Sequence, residues 1–224
     1  MSRILIFSRT LVYRHESIPH AAQVLTELAA ADGHATDHTE DPAVFTAEGL
    51  RDYRLVVWLS TSGEVLDGDQ REAFAGWLAA GGGWAGIHSA TACEYTWPEY
   101  ERIAGAILDS HPEPQTATVT VADPTHPSTH GLLSPWVHTD EWYNFRRHPP
   151  AHRTVLLTVD ENSYSGGNMG PHHPIAWCGP YHKGRTWYTS LGHATQAYDT
   201  PWLQAHLRGG LRSLLDDAAA PGSK

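Results

Sequence analysis

GGGWAGIHSA, residues Gly81–Ala90, is the stretch on which the fold turns. Its glycines cannot extend a helix, so they close the one before them. The next residues, GWAGIHS, form a short apolar run of buried-strand type, and His88 stands where the chain turns sharply from strand toward helix. Many α/β enzymes hold a nucleophilic Ser or Cys at such a turn, aimed at the substrate. Here the position carries an imidazole.

Outward from this turn, strand and helix signals alternate. Upstream, LDGDQREAFAGWLAAGGG opens on Asp67 with Gln70 three residues later, the spacing of a capping box, and Phe74, Trp77 and Leu78 share one face. Further upstream, Arg3–Ser8 and Tyr53–Ser60 are strands, and His34–His38 is a weak one. Ile18–Ala31 is a helix with Pro19 in its first turn and Gly33 past its end. Downstream, a short helix around Trp97–Ile107 leads into a β-rich second half, with strands at Thr116–Asp123, Thr154–Glu161, Pro174–Cys178 and Arg185–Gly192. Pro201–Leu215 is a closing helix. This order implies an α/β fold, a mostly parallel sheet wound by right-handed crossovers with helices on both faces. No repeat or long linker divides the chain, so residues 1–217 read as one domain and 218–224 as a disordered tail.

Composition narrows the function. The 224 residues are 41 % hydrophobic and 18 % charged, a globular balance. The net charge of −10 and the lack of any Lys/Arg cluster argue against a nucleic-acid partner. No apolar run has the length of a membrane span, and MSRILIFS lacks a signal-peptide layout, so a soluble, cytoplasmic protein is expected. Cys93 and Cys178 are too few for a disulfide framework and read as reduced thiols. The 16 histidines and nine tryptophans stand out. Loop positions are expected for His34, His38, His126, His148, His152, His182 and His206.

The other histidines sort by topology. Ligands of an open parallel sheet bind beyond the carboxyl ends of its strands. His15 follows the first strand, His88 closes GWAGIHS and His193 closes WYTSLGH, so three imidazoles converge on one edge. HTDEWY (His138–Tyr143) belongs beside them. In an extended segment Asp140 and Glu141 point to opposite faces, so only one reaches the pocket. His88, Glu141, Asp140 and His193 are the catalytic candidates. His15, His111, Trp142, Tyr143 and His173 are the substrate-binding candidates, with Trp142 as the one tryptophan placed in the pocket wall. His88, His193 and Glu141 could also hold zinc or another divalent ion, although neither HExxH nor a paired CxxC is present. No dinucleotide fingerprint occurs, so no nicotinamide cofactor is expected in this chain, and any redox step calls for an oxidoreductase partner. Exposed tryptophans leave a homo-oligomer open.

Seven segments, YRHESI, GGGWAGIHSA, HPEP, DEWYNF, VLLTVDE, HHPIAW and GRTWYTSLGH, in this order and spacing, resemble the ThuA-like (trehalose-utilisation) family from about Arg3 to Leu215. The resemblance implies a class I glutamine amidotransferase-like, flavodoxin-like fold. It also implies that His88 occupies the place of the amidotransferase elbow cysteine, so that glutaminase chemistry is lost. Cys93, five residues on, cannot substitute. The family is associated with catabolism of disaccharides and their 3-keto forms, and a sugar or keto-sugar substrate is what the resemblance implies. A non-catalytic sugar-binding or assembly module and a metal-dependent hydrolase of another small molecule are the alternatives.

Overall fold

A computed structural model describes residues 1–216, and the tail expected at 218–224 lies outside them. Along the described chain come β1 (Arg3–Phe7), α1 (Ile18–Ala31), β2 (Ala35–Thr39), α2 (Ala47–Leu50), β3 (Tyr53–Leu59), α3 (Gly68–Ala79), β4 (Gly83–Ile87) and α4 (Pro98–Ala104). They are followed by β5 (Leu108–Ser110), β6 (Gln115–Val121), β7 (Trp136–Asp140), β8 (Asn144–Phe145), β9 (Thr154–Val159), β10 (His173–Tyr181), β11 (Gly184–Thr189) and α5 (Pro201–Leu215).

One large sheet runs in the order β2-β1-β3-β4-β11-β10-β9-β6-β7. The strands from β2 to β11 pair in parallel, and from β11 to β7 each successive pair is antiparallel. The short β5 and β8 pair with each other outside this sheet.

The parallel half is buried on both faces, as the near-continuous apolar runs of β1 and β3 require. Ile4, Ile6, Leu55, Val57 and Leu59 join the core under α1 and α5. Leu5, Phe7, Val56 and Trp58 join the opposite core under α3 and α4. The two-residue period of a strand makes this division. The capping box at Asp67 and Gln70 is formed, with both reciprocal bonds near 3 Å.

Two of the seven histidines assigned to loops are placed otherwise. His206 lies on the buried face of α5, packed on Trp187. Its Nδ1 is 2.8 Å from Ser128 O and its Nε2 is 3.2 Å from Thr189 Oγ1, so both nitrogens are satisfied and the ring can be buried. His38 lies on β2, 2.7 Å from the Ser8 hydroxyl. Among the described residues no helix is long and apolar enough to cross a membrane.

Candidate functional site

The carboxyl ends of β1, β4 and β11 bring His15, His88 and His193 to one edge of the sheet. Four antiparallel steps from β11 restore the strand direction at β7, so β7 also ends at that edge and supplies Asp140 and Glu141.

His88 is the first residue of a single 3₁₀ turn, His88–Thr91, entered straight from β4. Its φ of 53° is left-handed, a conformation that crowds the Cβ of any L residue and costs on the order of 1–3 kcal/mol. The ring is fully buried. Its Nδ1 lies 2.7 Å from Ser190 O, a group that can only accept, so Nδ1 carries the proton and donates. In the neutral ring the Nε2 lone pair then faces the cluster.

Three polar atoms crowd that lone pair. His15 Nε2 is 2.9 Å away, the Tyr143 hydroxyl 3.0 Å and Glu141 Oε2 3.4 Å. Glu141 Oε2 also lies 3.2 Å from His193 Nδ1, without an aligned hydrogen bond, and Oε1 lies 3.5 Å from His111 Nδ1. One atom from each of His15, His88, Glu141 and His193 falls within 4.8 Å of the others.

The adjacent carboxylates diverge. Asp140 is fully buried and accepts the backbone N–H groups of Glu141, Gly192 and His193 at 2.9–3.1 Å. It staples the end of β7 to the end of β11. Glu141 faces a cavity of about 350 Å³, whose wall also includes His15, Tyr143, His111, Ser89 and Tyr95.

The electrostatics separate the groups further. Burial, reinforced by His88 and His193, pushes His15 down to about 3, so this ring is neutral. Burial opposes ionisation of Glu141, but His193 and His88 outweigh it and hold the carboxyl well below the usual range. His193 is raised in return, chiefly by Glu141. Burial lifts the Tyr143 phenol well above its ordinary value, leaving it a neutral donor.

Two expected pocket residues are elsewhere. Trp142 does not line the cavity. It is fully buried in the core under α1 and α5, with Nε1 donating to Gln115 O at 2.8 Å. His173 is also buried, its Nε2 donating to Tyr143 O at 2.8 Å while Nδ1 meets Glu161 at 2.9 Å. It supports the Tyr143 backbone from behind. Sequence reasoning missed the apolar part of the wall, Val12, Tyr13, Tyr95 and Leu108. Tyr13 could have been found, since it precedes His15 by two residues, whereas Tyr95 and Leu108 carried no signal. Cys93 Sγ is buried against Thr61, Ala90 and Tyr100, and burial pushes it up to about 12.

Comparison with known proteins agrees with this architecture. A putative ThuA-like protein from Bacteroides uniformis has 24 % identity and a TM-score of 0.81, covering 100 % of this chain and 96 % of that one. Another from Parabacteroides merdae has 21 % identity and a TM-score of 0.76, covering 95 % and 90 %. A cytoplasmic protein from Salmonella typhimurium, at 16 % identity, reaches a TM-score of 0.69 over 94 % of this chain and 98 % of that one. These likenesses establish the fold. A search of curated proteins returns no match. The family model ThuA, described as trehalose utilisation, matches residues 3–213. The chain therefore belongs to the ThuA family.

Proposed function

We propose that this ThuA-family chain is an enzyme of carbohydrate catabolism that acts on a trehalose-type disaccharide or its 3-keto form by proton transfer between imidazole and carboxylate groups. The observation that carries this reading is the placement of Glu141, a carboxylate in the wall of a sugar-sized cavity with Tyr143 and His88 beside it. The polar groups are few and convergent and the rest of the wall is apolar, the usual build of a small-molecule site. The family's description supplies the substrate class.

The step that suits these groups starts on a keto-sugar. Glu141 takes the proton from the carbon between the ketone and the anomeric carbon, and the C–H pair becomes a C=C bond. The carbonyl π pair passes to oxygen, where Tyr143 donates to it. The enolate re-forms the ketone by expelling the glycosidic oxygen, which takes up a proton. His111, beside Glu141 Oε1, relays the proton onward. The ketone would be made by a separate oxidoreductase acting on the intact sugar. Glutaminase activity is not part of this reading, because His88 stands at the elbow and Cys93 is buried and protonated.

The test incubates purified protein with trehalose and with 3-keto-trehalose and follows both by NMR. Turnover of the keto-sugar by wild type, lost in Glu141→Gln while the sugar still binds, is the expected result. Binding without turnover in wild type would make the chain a sugar-binding module. Neither binding nor turnover would remove the sugar reading.

A further inference from the structure

We infer that His15, His88, Glu141 and His193 form a binding site for one divalent transition ion, zinc being the best fit to the donor set. This deepens the reading of the cavity as the working site and adds His15 to the ligands; Glu141 would bind through Oε2 and keep Oε1, beside His111, for the substrate proton.

The donor atoms are His15 Nε2, His88 Nε2, His193 Nδ1 and Glu141 Oε2. The first two are 2.9 Å apart, and Glu141 Oε2 is 3.4 Å from His88 Nε2 and 3.2 Å from His193 Nδ1. Ligand atoms around a tetrahedral ion with bonds of about 2.0–2.2 Å stand roughly 3.3–3.5 Å apart. Three of the six donor separations are near that scale, at 2.9–3.4 Å, and one atom from each of the four residues lies within 4.8 Å of the others.

Proton sharing explains the cluster poorly. His88 has its Nδ1 proton committed to Ser190 O, so Nε2 presents a lone pair. If His15 donates from Nε2 to that lone pair, its own Nδ1 is left as a buried acceptor without a partner. If His15 is protonated at Nδ1 instead, the Tyr143 hydroxyl can donate to His88 Nε2 at 3.0 Å, but the His15 Nε2 lone pair still faces that nitrogen at 2.9 Å with no donor between them. In neither case does the pair involve His193 Nδ1, which faces Glu141 Oε2 at 3.2 Å as an ion pair out of line for a good hydrogen bond. A single cation satisfies four convergent lone pairs together.

The supports of a metal site are also in place. A backbone carbonyl fixes the His88 tautomer, the common outer-shell arrangement for a ligating imidazole. Asp140 holds the His193 and Glu141 backbones in register with each other. Three imidazoles and one carboxylate suit zinc or a neighbouring first-row ion better than calcium or magnesium. His15 and Glu141 line the cavity, so a substrate oxygen can reach the ion. There the ion would polarise a carbonyl or a bound water.

The experiment uses protein purified without a histidine tag. Its metal content is measured as isolated, and metal-free protein is titrated with Zn²⁺ by calorimetry and with Co²⁺ by visible absorption. The expected result is one equivalent of either ion, an intense visible Co²⁺ spectrum, and affinity roughly a hundredfold or more weaker in His193→Asn and Glu141→Gln. His193 is part-exposed, so its variant keeps the core intact, and near-UV circular dichroism checks the fold. No stoichiometric ion, or binding equal in wild type and both variants, would overturn the inference and assign the uptake to surface histidines. Keto-sugar turnover by metal-free protein that still takes up one ion on titration would leave both the site and the sugar reading and take the ion out of the proton transfer. Tight metal binding with no sugar processed would do the reverse.

Discussion

Asp140→Asn separates a staple from a reacting group. Asp140 Oδ1 accepts from Glu141 N and His193 N, and Oδ2 accepts from Gly192 N, in a fully buried position. Asparagine keeps the shape and one oxygen. That oxygen can hold the Oδ1 pair, but the amide NH₂ then faces the Gly192 N–H, donor against donor. A hydrogen bond to a charged acceptor contributes about 1.5–3 kcal/mol, and a buried unsatisfied N–H adds about 1–3 kcal/mol. His138, 3.3 Å from Oδ2, can turn to accept from the new amide and offset part of the loss. A net cost of about 3 kcal/mol corresponds to a melting temperature lower by roughly 6–12 °C in a chain of this size. Glu141→Gln breaks no backbone hydrogen bond and gives up only the attraction of His193 and His88, so its melting temperature falls by less than that of Asp140→Asn. Differential scanning calorimetry of both variants decides. An Asp140→Asn protein as stable as wild type, or less affected than Glu141→Gln, would refute the assignment.

Three further outcomes follow from the core. Burial pushes His206 from 6.5 down to about 4, so between these values the unfolded chain binds the proton that the fold excludes. Stability is therefore complete above pH 6.5 and drains as pH falls toward 4. Linkage gives His206 a loss of about 2 kcal/mol between pH 7 and pH 5, which guanidinium titrations should find as the excess loss of wild type over His206→Asn, since the buried His15 adds its own loss to both proteins. A Cβ at Gly184 would stand 2.1 Å from Leu78 O and 2.8 Å from Gly82 O, where the β10–β11 turn meets the end of α3. Gly184→Ala should cost at least about 2 kcal/mol, and an unchanged unfolding midpoint would contradict that contact. Cys93, buried and protonated, should resist an aromatic disulfide reagent in native protein and react once guanidinium opens the chain. Prompt native labelling at that residue would show that the pocket under Thr61 and Tyr100 is open.

The helices were the most legible part of the sequence. Ile18–Ala31 and Pro201–Leu215 were readable to the residue, because each combines helical spacing with an early proline. β1 and β3 are uninterrupted apolar runs, and strands buried on both faces announce themselves that way. β7 did not, since WVHTD lies at the sheet margin with Val137 exposed and His138 only partly covered. At the site, the divergence of Asp140 and Glu141 was legible from strand alternation. Which of them faced the cavity depended on how the β7 end docks against Gly192 and His193, contacts 52 and 53 residues away in sequence. Trp142 and His173 failed for the same reason. A large ring or an imidazole suits a pocket wall and a satisfied core equally well, and only the Gln115 and Tyr143 carbonyls decide between them.

The most direct measurement is solvent deuterium incorporation into 3-keto-trehalose, read by NMR at the carbon next to the ketone, with wild type and Glu141→Gln in parallel. Enzyme-dependent label at that carbon, in recovered substrate or product, and none above background in Glu141→Gln, is the result the account predicts. Equal labelling by both proteins, or turnover by wild type with no label, would contradict Glu141 as the group that removes the proton.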